Sequence, residues 1–174
     1  MTTIAGVVLD NGDIVIASDS RTCEQETGRY WDSVRTEKIA IKSNLIIGVA
    51  GDRGAMDKIL HTWDPPVNEG DALDAHTFVT SVVRPSLAEF TDDDDGEWRA
   101  LIGFESLLFD VSATDAAHDG VHRFAAIGSG AAYALGHLTR CPLSFEANAR
   151  TAIEVASEFD MFTGGRVVWR TLKC

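Results

Sequence analysis

The sequence predicts an α+β protein built from antiparallel sheets with segregated helices, not a doubly wound parallel sheet. Apolar, β-branched runs arrive in neighbouring pairs joined by turn residues, and helical periodicity arrives in blocks between those pairs. The order reads strands, two helices, strands, two helices, strand. The first two runs do not alternate cleanly, which is the pattern of strands covered on both faces.

Taken in order, residues 3–9 (TIAGVVL) and 13–18 (DIVIAS) flank Asp10-Asn11-Gly12. Asn-Gly between such runs is the strongest short hairpin signal. Residues 38–42 (KIAIK) and 45–50 (LIIGVA) form a second hairpin across Ser43-Asn44. After Gly51 the period becomes helical: Ala55, Met56, Ile59, Leu60 and Trp63 share a face, and Asp64-Pro65-Pro66 ends it. A second helical stretch runs from Ala72 to Phe90, with Leu73, Val79, Val82, Val83, Leu87 and Phe90 on one side. Pro85 is expected to kink or divide it. Asp92 to Asp95 with Gly96 reads as a solvated loop, since consecutive carboxylates seldom converge on a cation.

Apolar segments follow at 100–104, 107–111 and 121–127, with a turn at Asp119-Gly120 before the last. Helical patterns return at 131–138 and 144–159. In the second, Phe145, Ala149, Ala152, Ile153 and Ala156 keep the helical period, with Ser144 as candidate N-cap. Gly164-Gly165 breaks the pattern, and 167–169 makes a closing strand. No repeat or linker divides residues 1–174, so the chain reads as a single domain.

Net charge is −12, from 15 Lys plus Arg against 27 Asp plus Glu, which argues against nucleic-acid binding because phosphate contacts need a basic surface. Cys23, Cys141 and Cys174 form no CxxC pair and read as reduced thiols of a cytoplasmic protein. No secretory leader and no membrane-spanning run is expected. His61, His76, His118, His122 and His137 form no HxxxH or HExxH pattern, so neither a metal nor another cofactor is expected.

The chemistry-bearing question lies at Thr2. Initiator methionine is usually removed before a small residue, and removal of Met1 would leave a free α-amine on a residue that also carries a hydroxyl. A hydroxyl is a poor nucleophile until a base takes its proton. An α-amine, with a pKa of roughly 7.7–8.0, is suitably tuned to be that base, directly or through one water.

Four stretches together resemble the proteasome β-subunit family and its bacterial relative HslV, which are N-terminal nucleophile hydrolases: TTIAGVVLDNGDIVIASDSR at 2–21, EKIAIKSNLIIGVAGD at 37–52, FAAIGSGAAYALG at 124–136 and DMFTGG at 160–165. They stand in the family's order and at similar spacing over nearly the whole chain. The brevity of the segment before Thr2 resembles HslV more than most proteasome β-subunits. The resemblance implies a four-layer αββα sandwich: two antiparallel sheets face to face, with helix pairs outside.

It also implies a threonine peptidase. Thr2 would be the nucleophile, Lys38 the lysine beside it, and Asp19 the partner that holds Lys38. Gly51 would offer its N–H to the developing oxyanion; Ser129, Asp160 and Thr163 would surround the threonine amine. By the same register Thr22, Thr36, Ala40, Val49 and Arg53 would line the pocket for the residue before the cleaved bond. Small side chains with one arginine there suggest tolerance of medium or acidic residues. The family works as a ring of identical subunits on unfolded protein or peptide, which implies an ATP-driven unfoldase partner. Two alternatives remain open on sequence: the same fold as an inactive structural or assembly protein, which retention of Met1 would enforce, or an amidase acting on small amides.

Overall fold

The computed structural model describes residues 2–24, 27–33, 35–69, 72–91, 96–114, 118–119, 123–141 and 146–174. Strands β1 (Thr3–Val8) and β2 (Ile14–Ser18) form the expected hairpin, with Ile4 opposite Ser18 and Val8 opposite Ile14. They lie at the centre of a four-stranded sheet flanked by β10 (Phe124–Gly128) and β11 (Val168–Leu172). A five-stranded sheet runs in the order β5 (Ile39–Lys42), β6 (Leu45–Gly51), β7 (Trp98–Phe104), β8 (Leu107–Ser112) and β9 (His118–Asp119). Every strand pairing in both sheets is antiparallel. A separate short hairpin joins β3 (Arg21–Cys23) to β4 (Tyr30–Asp32).

The core divides into three slabs, and the slabs define four layers. Ile4, Ile14 and Ile16 of one sheet meet Ile39, Ile46 and Leu101 of the other in the middle slab. Leu45, Ile47 and Val49 point away from that slab, against Ala55, Ile59, Phe78 and Leu87 of the helices over the five-stranded sheet. Ala5, Val7, Val15 and Ala17 do the same against Ala134, Ala152 and Ile153 over the other. This is the four-layer αββα sandwich. It also explains why β1, β2 and β6 read as continuous apolar runs: both parities of each strand are buried.

Helix α1 (Arg53–His61) is capped by Asp52, whose side chain accepts from the Gly54 N–H at 2.7 Å. Helix α2 (Ala75–Phe78) starts three residues later than the periodicity suggested, because Asp74 caps it through the Thr77 N–H at 3.0 Å. It continues through a wide π turn, Val79–Val83, into α3 (Arg84–Phe90). Pro85 has no N–H and crowds the preceding turn. The Arg84 N–H reaches back to the Val79 carbonyl, and the helix widens there instead of dividing.

Helices α4 (Ala131–Leu138) and α5 (Ala147–Phe159) cover the four-stranded sheet. The candidate cap Ser144 and Phe145, the Asp92 to Asp95 loop, Gly120 of the expected turn, His122 and Met1 lie outside the described residues. Strand β11 extends to Leu172, three residues beyond the expected strand. The β3–β4 hairpin was not anticipated, since each strand is three residues long and β4 is fully exposed. Cys23, Cys141 and Cys174 are free thiols. Among the described residues no helix is long and apolar enough to cross a membrane, and no group of three His, Cys, Asp or Glu could hold a metal ion.

Candidate active site

The site is built where β1 begins, beside the ends of β2 and β10 and the entry to β5. Asp19 follows β2 directly and is 1% exposed, a position that demands compensation for its charge. Among the described residues it receives four donors. Oδ1 accepts from Lys38 Nζ at 2.8 Å and from the Thr3 N–H at 3.0 Å. Oδ2 accepts from the Arg21 N–H at 3.1 Å and the Gly164 N–H at 3.2 Å. Lys38, equally buried, donates a second bond to the Arg21 carbonyl at 2.7 Å. Burial pushes the Lys38 ammonium below its ordinary pKa, and the Asp19 carboxylate opposes that shift.

A second network closes on the other side of β1. The Ser129 and Thr163 hydroxyls both donate to Asp160 Oδ2 at 2.6 Å. With its proton committed there, Thr163 accepts the Thr3 hydroxyl at 2.5 Å, and Thr3 Oγ1 accepts from the Gly130 N–H at 2.9 Å. The Phe162 N–H donates to Asp160 Oδ1 at 3.2 Å.

These bonds separate the adjacent threonines. Thr3 is fully buried and its hydroxyl both donates and accepts within the fold. Thr2 is held by its backbone, its carbonyl accepting from the Ser129 N–H at 3.0 Å, and it lines cavities on two sides. One, of about 570 Å³, is lined by Thr22, Thr36, Lys38, Gly51 and Arg53 among others. The other, of about 610 Å³, is lined by Ala50, Gly51, Trp98, Gly128 and Ser129 among others. Gly51 lies on both, at the end of β6 just ahead of α1, with φ of +134°. A Cβ there would stand 2.2 Å from the Glu97 carbonyl oxygen, so only glycine fits. Cys23 also lines the first cavity, but burial pushes its thiol pKa up, and a protonated thiol is a weak nucleophile.

Solved structures with this architecture include BPH from Thiobacillus denitrificans, 27% identical, with 99% of this chain aligned to 98% of that one at a TM-score of 0.75. The same protein in complex with epoxomicin matches equally well, at 27% identity over 99% and 100% of the two chains and a TM-score of 0.75. Eukaryotic HslV from Trypanosoma brucei is 19% identical over 99% of this chain and 100% of its own, TM-score 0.72. Anbu from Yersinia bercovieri is 15% identical over 98% and 81%, TM-score 0.71. The chain has the HslV and Anbu fold. No family model and no curated protein sequence matches it.

Within this HslV-type sandwich, two of the expected pocket residues stand elsewhere. Val49 is fully buried on the helix side of β6, in the slab with α1 and α3. Ala40 packs against that slab and lines a different cavity with Glu37 and Arg170. Neither lines the cavities at Thr2. The neighbour of Val49 with opposite parity, Ala50, lines the second.

Sequence reasoning also passed over residues that hold the site together. Arg21 grips Asp32 through two bonds, at 2.8 and 3.0 Å, donates to the Met161 carbonyl at 2.9 Å, and lies 4.0 Å from the centre of the Tyr30 ring. It fastens the β3–β4 hairpin to the loop carrying Thr163, and Asp32 raises its pKa. Its sequence signal was the last letter of IASDSR.

Gly128 was the other omission. At φ of +94°, a Cβ on it would come within 1.8 Å of the Thr2 carbonyl oxygen. Gly128→Ala is therefore expected to cost about 2 kcal/mol or more of stability and to displace Thr2. Urea denaturation would measure the first effect and peptide hydrolysis the second.

Proposed function

We propose that this chain is a threonine-type endopeptidase subunit of a self-compartmentalising ring protease, with Thr2 as nucleophile once Met1 is removed. The observation that carries the reading is the placement of Thr2: it lies between two cavities, shares one of them with Lys38, the buried partner of Asp19, and its side chain enters none of the hydrogen bonds that tie up Thr3. The epoxomicin complex of the Thiobacillus BPH protein adds support, since that chain aligns over this one almost end to end.

In this mechanism the freed α-amine of Thr2 takes the proton from Thr2 Oγ1 as it attacks the peptide carbonyl. Lys38, kept charged by Asp19, lowers the pKa of groups beside it. The Gly51 N–H, ahead of the positive end of α1, stabilises the oxyanion. Ser129, Asp160 and Thr163 orient the amine. Collapse of the tetrahedral intermediate expels the leaving amine, protonated by the Thr2 ammonium, and leaves an ester on Thr2. Water then hydrolyses that ester. A ring of identical subunits, an ATP-driven unfoldase partner, unfolded protein as substrate and a cytoplasmic location belong to the same proposal.

The test combines intact mass, peptide mapping after epoxomicin treatment, and hydrolysis of peptide and casein substrates. A mass lacking Met1, an adduct on Thr2 and measurable hydrolysis are expected. A full-length mass with neither adduct nor hydrolysis would overturn the reading.

A further inference from the structure

We propose that the cavity shared by Thr2 and Lys38 selects a cationic side chain, lysine or arginine, in the residue it holds. The inference rests on the endopeptidase reading for which part of the substrate lies there, namely the residue before the cleaved bond. It reverses the tolerance of acidic side chains that Arg53 suggested on sequence.

The cavity is lined by three cations, Arg21, Lys38 and Arg53, and by five carboxylates, Glu24, Glu37, Asp52, Asp57 and Glu97. Each cation is already matched. Lys38 pairs with Asp19 and Arg21 with Asp32, both at 2.8 Å, and neither of those aspartates lines the cavity. Arg53 pairs with Asp57 at 3.3 Å and donates to the Thr22 hydroxyl at 3.4 Å, so its counter-charge also stands in the wall. Glu37 pairs with Arg170 outside the cavity at 3.0 Å. Asp52 is spent on capping α1 and faces the positive end of that helix.

Glu24 and Glu97 are left. Both are exposed and line the cavity from different elements, after β3 and before β7, and neither has a cationic partner among the described residues. A concave wall with unmatched negative charge favours a cation and repels a carboxylate, more so than open surface does. Burying an acidic substrate side chain there would also need a free cation, and Arg21, Lys38 and Arg53 are engaged.

The experiment uses one peptide series that varies only the residue before the cleaved bond: arginine, its neutral isostere citrulline, leucine and glutamate. A control series moves the arginine or citrulline three residues upstream, which separates the cavity from the general pull of a chain carrying −12. Arginine should exceed citrulline in kcat/KM by about tenfold at the cavity position and by less than about twofold upstream, with the difference shrinking as salt rises. Glutamate should be the poorest. Glu24 lines this cavity and not its neighbour, so Glu24→Gln should reduce the arginine-to-citrulline ratio several-fold at the cavity position and leave the upstream ratio as it was. Equal rates for arginine and citrulline, equal ratios at both positions, or a preference for glutamate would overturn the proposal. If no peptide is cleaved, calorimetric binding of peptides ending in arginine or citrulline to the Thr2→Ala protein decides it. Arginine-selective binding without cleavage would uphold the cavity assignment while the endopeptidase reading fails. Indifferent binding would sink the cavity assignment itself.

Discussion

Thr2→Ala should lower peptide hydrolysis by about a thousandfold or more while leaving the fold unchanged. The Thr2 backbone carbonyl accepts from the Ser129 N–H, and alanine keeps that bond. Truncating the side chain should therefore cost no more than about 1 kcal/mol of stability. Thr3→Ala should behave in the opposite way. It leaves the buried Gly130 N–H without its acceptor and Thr163 without its donor, which should cost about 1–3 kcal/mol. Circular dichroism melts together with kcat for the two variants would separate the roles. Full activity in the Thr2→Ala protein would show that the nucleophile lies elsewhere.

Lys38→Met should be the most destabilising single change at the site, at about 3–5 kcal/mol, because it strands the Asp19 carboxylate in the interior. Activity should fall with it. Stability and chemistry are separable through the double variant Lys38→Met with Asp19→Asn. That protein lacks the stranded charge and should regain much of the lost stability, yet remain inactive.

The wild-type pair also has a pH signature. Burial lowers the Lys38 pKa in the folded state relative to its ordinary value of 10.5. Below the lowered value both folded and unfolded chains carry the proton, and the cost of burying the charge is present in full. Between the lowered value and 10.5 the unfolded chain binds more proton, so this contribution to stability rises with pH. Urea titrations across that alkaline window should show the wild type gaining on Lys38→Met as pH increases. A wild-type advantage that falls with pH would mean that attraction to Asp19 outweighs desolvation at Lys38.

Much of the architecture was readable from local pattern. Asn11-Gly12 marked the first hairpin, and apolar runs without clean alternation at 3–9 and 13–18 marked strands buried on both faces. Pro85 was expected to kink or divide its helix, which widens into a π turn there instead of dividing. The β3–β4 hairpin escaped notice because it is held by Arg21, Asp32 and Tyr30, contacts between polar side chains that leave no hydrophobic period behind.

At the site itself, sequence determined which residue types could meet: a threonine with a potential free amine, a lysine after a short gap, and an aspartate closing an apolar strand. Only the tertiary structure decided their division of labour. Thr2 and Thr3 are the same residue in adjacent positions, and only the bonds with Gly130 and Thr163 show which hydroxyl is consumed. The same limit applies to LIIGVA. When both faces of a strand are buried, its alternation carries no sign of which parity looks toward a cavity. Val49 was expected in the pocket and faces the helices, whereas Ala50, one residue on, lines a cavity beside Thr2. The charge of that neighbourhood follows the same logic, since Arg53 in the sequence is a cation, and Arg53 in the fold is already matched by Asp57.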